Sequence, residues 1–130
     1  MKKVFISNLL ILTIILSLLS CGKWPDNIKL STKSAEFSAN GDSILITTKG
    51  DTWVLMDITI DGKRYFNFDG TDVHAENYTV KMDYLIFERR ELHALFIKLE
   101  PNPLNLNRRV IFGLQAGDYH DDVTITQKPK

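Results

Sequence analysis

The chain is 130 residues long, carries 16 basic and 16 acidic side chains, and is 44% apolar. That length supports one domain around one hydrophobic core and excludes two. The apolar fraction excludes a disordered chain, and the balanced charge leaves no basic excess to hold a phosphate backbone, so no nucleic-acid partner is expected.

Residues 1–20 read as an export signal. Met1-Lys2-Lys3 is a short cationic start, and residues 4–19 are apolar except for Ser7, Asn8, Thr13 and Ser17. The run is short for a membrane span and begins at the N-terminus, which favours a cleaved leader. Without Lys2 and Lys3 the 16 basic residues fall to 14 against 16 acidic, a net charge of −2. The run ends in Leu18-Leu19-Ser20-Cys21, and Cys21 is the only cysteine, so no intramolecular disulfide can form. Leu18-Leu19-Ser20-Cys21 resembles the bacterial lipoprotein signal. The resemblance implies cleavage before Cys21, lipidation of its thiol with palmitate-type acyl chains, and a protein held on the cell envelope, at the outer membrane. Each buried methylene of such an anchor contributes about 0.8 kcal/mol. Residues 21–27 would then be the lipidated cysteine and its tether, with the membrane as the first partner, and residues 28–130 the folded domain.

From Ile28 onward the pattern has period two. Residues 35–38 form a first short strand, ended by the turn pair Asn40-Gly41. Residues 43–48 follow, with Ile44 and Ile46 on one face, and Lys49-Gly50-Asp51 turns the chain. Residues 53–60 are the next strand. Asp61-Gly62 predicts a two-residue hairpin that pairs it with residues 63–68. Asp69-Gly70 opens a polar loop over 69–77. Residues 78–82 and 84–87 are apolar runs separated by Asp83. Glu88-Arg89-Arg90-Glu91 reads as a solvated hairpin tip. His93, Leu95, Ile97 and Leu99 then alternate with Ala94, Phe96 and Lys98, and Pro101 and Pro103 break the ladder. Residues 109–115 and 122–127 form a last pair turned around Gly117-Asp118, with Val123 and Ile125 facing one way and Thr124 and Thr126 the other.

Some seven to nine short strands and no helical stripe predict an all-β domain, an immunoglobulin-like antiparallel β-sandwich. A small closed β-barrel is the alternative that the same patterning allows.

Two ends of the domain carry a family likeness. Leu99-Glu100-Pro101-Asn102, Asn107-Arg108-Arg109-Val110-Ile111-Phe112-Gly113-Leu114 and Val123-Thr124-Ile125-Thr126-Gln127 resemble the closing strands of a BACON domain. Phe37-Ser38-Ala39-Asn40-Gly41 is similar to its opening turn, with Ile46-Thr47-Thr48 and Trp53 following in order. Residues 65–77 match nothing in that pattern. The resemblance implies an immunoglobulin-like sandwich on an exported protein, with carbohydrate binding or a spacer role.

Chemistry is sparse. No Gly-x-Ser-x-Gly elbow or phosphate-cradling glycine loop is present, so the chain is expected to be non-catalytic and without a cofactor. Asp118, His120, Asp121 and Asp122 crowd one turn, but neighbouring turn residues rarely converge on one ion and acidic ones serve local hydrogen bonds, so no metal is expected. Asn77-Tyr78-Thr79 and Asp42-Ser43-Ile44 have the form of glycosylation signals. Sugar binding needs exposed flat rings. Trp53 shares parity with Leu55 and Asp57, opposite the more apolar set Val54, Met56, Ile58 and Ile60, which would turn it outward. The other reading is a core tryptophan reached through a bulge. Trp53, Tyr65, Tyr78 and Tyr119 are therefore the candidate ligand-binding residues. Two partners stay open: a glycan held on such rings, or an envelope protein bound by loop 69–77 or an edge strand.

Overall fold

Nine strands and no helix make up residues 24–130, which are the residues described by the computed structural model. The expected leader, residues 1–20, and Cys21 lie outside the described residues. The strands are β1 (Ser34–Phe37), β2 (Asp42–Thr47), β3 (Val54–Ile60), β4 (Lys63–Tyr65), β5 (Tyr78–Met82), β6 (Leu85–Arg90), β7 (Ala94–Leu99), β8 (Arg108–Ala116) and β9 (Tyr119–Gln127). They form two sheets, ordered β1-β9-β8-β3-β4 and β2-β7-β6-β5. The sheets pack face to face as an immunoglobulin-like β-sandwich. Each keeps two edge strands, so the closed barrel is excluded. One pair departs from the expected antiparallel order: β1 runs parallel to β9, with Ala35 beside Ile125.

Turn chemistry sets the register. Asp61 (φ 46°) and Gly62 (φ 88°) both adopt the left-handed region, as a two-residue hairpin turn requires, and Ile60 pairs with Lys63 across it. Gly117 (φ 59°) plays the same part between Ala116 and Tyr119. The partner of β3 is shorter than the predicted 63–68. It stops at Tyr65, and Asn67 (φ 60°) turns the chain into a loop that runs to residue 77. The last strand is longer than predicted and starts at Tyr119.

Period two fills the core from both sheets. Leu95, Ile97 and Leu99 of β7 are buried, as are Val110, Phe112 and Leu114 of β8 and Val123 and Ile125 of β9. Phe87 of one sheet meets Phe112 of the other at 5.5 Å between ring centres, and Tyr78 stacks on Phe87 at 6.2 Å. Among the described residues every core side chain lies between Ile28 and Ile125, so residues 22–130 include all of them.

Asn102, Arg108 and Gln127 close one pole through a buried polar network. Asn102 Nδ2 donates to the carbonyls of Leu106 (2.8 Å) and Lys128 (3.1 Å). Gln127 Nε2 donates to the carbonyls of Ser38 (3.1 Å) and Glu100 (3.0 Å). Arg108 Nη1 donates to the Pro101 carbonyl at 3.2 Å, and its guanidinium lies 3.7 Å from the ring centre of Tyr84. These side chains satisfy loop carbonyls that no ladder reaches.

The charge run is not a solvated tip. Glu88, Arg89 and Arg90 belong to β6, and the turn falls one residue later at Glu91 (φ 50°) and Leu92 (φ 62°). Arg89 follows Leu85 and Phe87 on the inward face and is only 2% exposed.

Candidate functional site

The site is best built from β3, because one irregularity there decides where its side chains point. The β3–β8 register slips between Leu55 and Asp57: Leu55 faces Leu114, Asp57 faces Gly113, and Met56 is the extra residue. A bulge reverses the alternation. Before it, Trp53 and Leu55 face the core; after it, Ile58 does.

Trp53 is therefore a core residue, 0% exposed, and offers no face to a sugar. Its Nε1 donates to Thr48 Oγ1 at 3.0 Å, and Thr48 Oγ1 donates to the Gly50 carbonyl at 2.7 Å. The other three candidates do not join a platform either. Tyr65 is half-buried on β4, opposite Ile58, with the Lys63 ammonium 5.0 Å from its ring centre. Tyr78 packs on the core from the other sheet. Its hydroxyl accepts the Leu55 N–H at 3.4 Å, and burial pushes its pKa up to about 12. Tyr119 closes the β8–β9 hairpin. Its hydroxyl donates to Asp121 Oδ2 at 3.1 Å, and desolvation and that carboxylate both raise its pKa. Lys33 pairs with the same carboxylate at 2.8 Å. The acidic turn is split by the strand: His120 and Asp122 share the outer face, while Tyr119 and Asp121 point the other way. Among the described residues no three His, Cys, Asp or Glu side chains are placed to hold a metal ion.

What the bulge does expose is Met56, at 38%; beside it Asp57 lies on the outer face of the five-stranded sheet but is buried. Arg64 reaches Asp57 Oδ2 with both Nη2 (2.6 Å) and Nε (3.1 Å). Gly113 makes room for that carboxylate, since a Cβ there would meet Asp57 Oδ1 at 2.7 Å. A depression of about 360 Å³ lies over this pair, bounded by His120 and Asp122.

Met56 also bounds a larger depression of about 620 Å³, whose far wall is the loop after β4, with Asn67, Phe68, Gly70 and His74. On the other side of the same loop a third groove, about 350 Å³, runs between β4 and β5 and is lined by Tyr65, Phe66, Phe68 and Val80. Loop 66–77 thus stands as a ridge between two hollows. Phe66, 54% exposed, is the aromatic side chain it presents, with the Arg64 guanidinium 4.6 Å from the ring centre.

Sequence reasoning located this loop by its departure from the family pattern but missed Met56, Arg64, Phe66 and Arg89 as the residues that shape it. The signal for Arg89 was its parity with Leu85 and Phe87. The signal for Met56 was the change of apolar phase between Leu55 and Ile58.

Of the glycosylation-like triplets, Asp42-Ser43-Ile44 lies apart from these hollows, while Thr79 of Asn77-Tyr78-Thr79 lines the groove between β4 and β5. Ser43 is exposed at the start of β2, and Asn77 Oδ1 accepts the Glu91 N–H at 3.0 Å.

No family model and no curated protein matches this chain. Among solved structures, it is similar to the NMR structure of a protein from Bacteroides thetaiotaomicron, at 17% identity and a TM-score of 0.68, covering 85% of this chain and 94% of that one. At 10% identity and a TM-score of 0.40, 79% of the chain aligns with 57% of a chain from the CsuC–CsuE chaperone–tip adhesion subunit complex of Acinetobacter baumannii Csu pili. At 8% identity and a TM-score of 0.34, 82% aligns with all of WR4, a C. elegans MSP family member. The Bacteroides thetaiotaomicron likeness is one of fold.

Proposed function

We propose that this protein is a non-catalytic, lipid-anchored module of the cell envelope, BACON-like in type, that captures a protein partner on the side of the sandwich carrying loop 66–77. The observation that carries the reading is convergence on that loop. The β3 bulge, the short edge strand β4 and the edge strand β5 border two hollows of about 620 and 350 Å³, and exposed apolar side chains, Met56 and Phe66, stand at their rims. Binding residues sit on loops held by rigid scaffolds. A bare sheet edge beside apolar side chains suits a polypeptide.

The glycan reading needs a row of exposed rings, and the four candidate rings are buried, half-buried or dispersed over separate strands. The anchor reading rests on the leader and on Cys21 as the sole cysteine. It is tested by Cys21→Ser, which should abolish incorporation of labelled palmitate and leave an uncleaved precursor that still carries residues 1–20.

The partner class is tested with immobilised residues 22–130, offered to a glycan array and to an extract of the source cells. The expected result is an unlabelled array and one discrete protein, retained by the wild type and lost from Phe66→Ser at unchanged thermal midpoint. A glycan that binds the wild type, with no protein sensitive to Phe66, overturns the reading.

A further inference from the structure

Resting on that reading of the loop side, we infer that the partner enters as an added β-strand. An extended peptide segment with alternating apolar and acidic residues pairs with the free edge of β5 and drops its apolar side chains into the groove between β4 and β5.

The backbone geometry of β5 carries this. Met82 and Leu85 flank the two-residue turn Asp83-Tyr84 and form a pair across it. A turn that short makes the flanking pair a hydrogen-bonded one. Alternation then aims the N–H and C=O of Met82, Val80 and Tyr78 at β6, and those of Lys81 and Thr79 away from the sheet. Among the described residues, neither Thr79 nor Lys81 has a backbone partner beyond β6. β5 therefore presents two consecutive open rungs, roughly 6.8 Å apart.

The other edges offer less: β1 bonds to β9 through Ala35 and Phe37 and leaves Ser34 and Glu36 outward, but it borders none of the three hollows and its outward Glu36 repels a carboxylate. Just past β2 the Thr48 N–H reaches the carbonyl of His93, just before β7, so Thr47, Leu45 and Ser43 face outward. Ser31 already pairs with Thr47 through both its N–H and its hydroxyl, and Asp42 Oδ1 takes the Ser43 N–H at 2.8 Å. Leu45 is the one fully open rung there. β4 has three residues, of which Lys63 and Tyr65 bond to β3, leaving only Arg64 outward.

Side chains specify the occupant. A residue opposite Val80 shares its inward face, toward a groove whose wall carries the rings of Tyr65, Phe66 and Phe68 beside the polar Asn67, Asp69 and Thr71, and an apolar side chain there packs on the rings. A residue opposite Lys81 shares its outward face. Lys81 is exposed, and Lys98 lies in the same cross-strand row through Ile86. That row favours a carboxylate opposite Lys81. A second copy of this chain pairing through its own β5 fits poorly, because it would bring a second Lys81 to the same short edge.

The probe is a capped hexapeptide alternating valine and glutamate, added to residues 22–130 and followed by amide exchange and chemical shifts. Binding should slow exchange at Thr79 and Lys81 and leave Val80 and Met82, already paired to β6, unchanged. The valine–lysine counterpart should bind at least tenfold more weakly, and Lys81→Glu should reverse that order. Thr79→Pro removes an outward N–H without touching the β6 ladder, so it should keep its thermal midpoint and lose at least tenfold in peptide affinity. If the proline perturbs folding, Lys81→Glu still decides the question. Shifts confined to residues away from β5, or a preference that Lys81→Glu leaves unreversed, overturn the inference. A cellular protein that is sensitive to Phe66→Ser yet still captured by folded Thr79→Pro also overturns strand addition, while leaving the broader reading of the loop side intact.

Discussion

The guanidinium carbon of Arg89 lies 4.3 Å from the ring centre of Trp53, inside the core. A cation there has lost its water, and desolvation lowers its pKa. Its Nη2 donates to the Asp51 carbonyl at 2.6 Å and its Nη1 to that of Ala75 at 3.4 Å, while Nε has no acceptor among the described residues. The ring face offsets part of the desolvation cost. The pair ties the segment before β3 to the far end of loop 66–77. Trp53→Ala should destabilise the domain by about 3–5 kcal/mol, and chemical denaturation measures it. An unchanged midpoint would mean that the ring is not a core element.

The carboxylate of Asp57 and the hydrogen side of Gly113 make a second coupled pair. Gly113→Ala drives a methyl group onto a carboxylate held by Arg64. A cost of about 1–3 kcal/mol is expected, as for other overpacked sites. Adding Asp57→Ala should recover most of it, because the obstacle is then gone. The measurement is a double-mutant cycle, and additive losses would show that the two positions do not interact.

Asn102 holds a loop whose leucines, Leu104 and Leu106, are exposed. Asn102→Ala leaves the carbonyls of Leu106 and Lys128 without that donor, and should cost about 1–3 kcal/mol. Amide exchange around Leu104 should accelerate before the strands open, since the Leu104 N–H bonds to Asn102 Oδ1.

Alkaline pH acts through Tyr78. Its phenol ionises near 10 when unfolded and near 12 when folded, so the folded state favours the protonated form. Stability from this source is fully present below pH 10 and is lost as pH rises toward 12. Tyr84 and Tyr119 are shifted in the same direction, by desolvation first. The urea midpoint of the wild type should therefore fall over that window, and that of Tyr78→Phe should fall less. Equal slopes would contradict the burial of this hydroxyl.

Much of the fold was legible because strand alternation and turn pairs are local. Asp61-Gly62 specified its hairpin by backbone conformation alone, and Val123 and Ile125 are buried as their alternation required. The errors share a physical cause, a break in period two that composition hides. The bulge at Met56 carries Trp53 into the core, which is the bulged reading the sequence allowed and not the outward one that simple parity with Asp57 gave. Arg89 was masked by its charged neighbours. Long-range polar closure was not legible: Arg108 and Gln127 meet across the β8–β9 pair, but Gln127 reaches the Ser38 carbonyl only because β1 returns parallel beside β9. The candidate site was legible only as a loop that matches no pattern. Its residues depend on where β4 stops, which is set by the left-handed backbone at Asn67.

The most direct measurement of the central claim is photo-crosslinking in living cells from residue 66, with a benzophenone amino acid in place of Phe66. The same group at Leu45, exposed on the opposite edge strand, serves as the control. The account expects one discrete protein adduct from position 66, absent from position 45 and lost with Thr79→Pro. No adduct from position 66, or equal adducts from both positions, would contradict capture of a protein on this side of the sandwich.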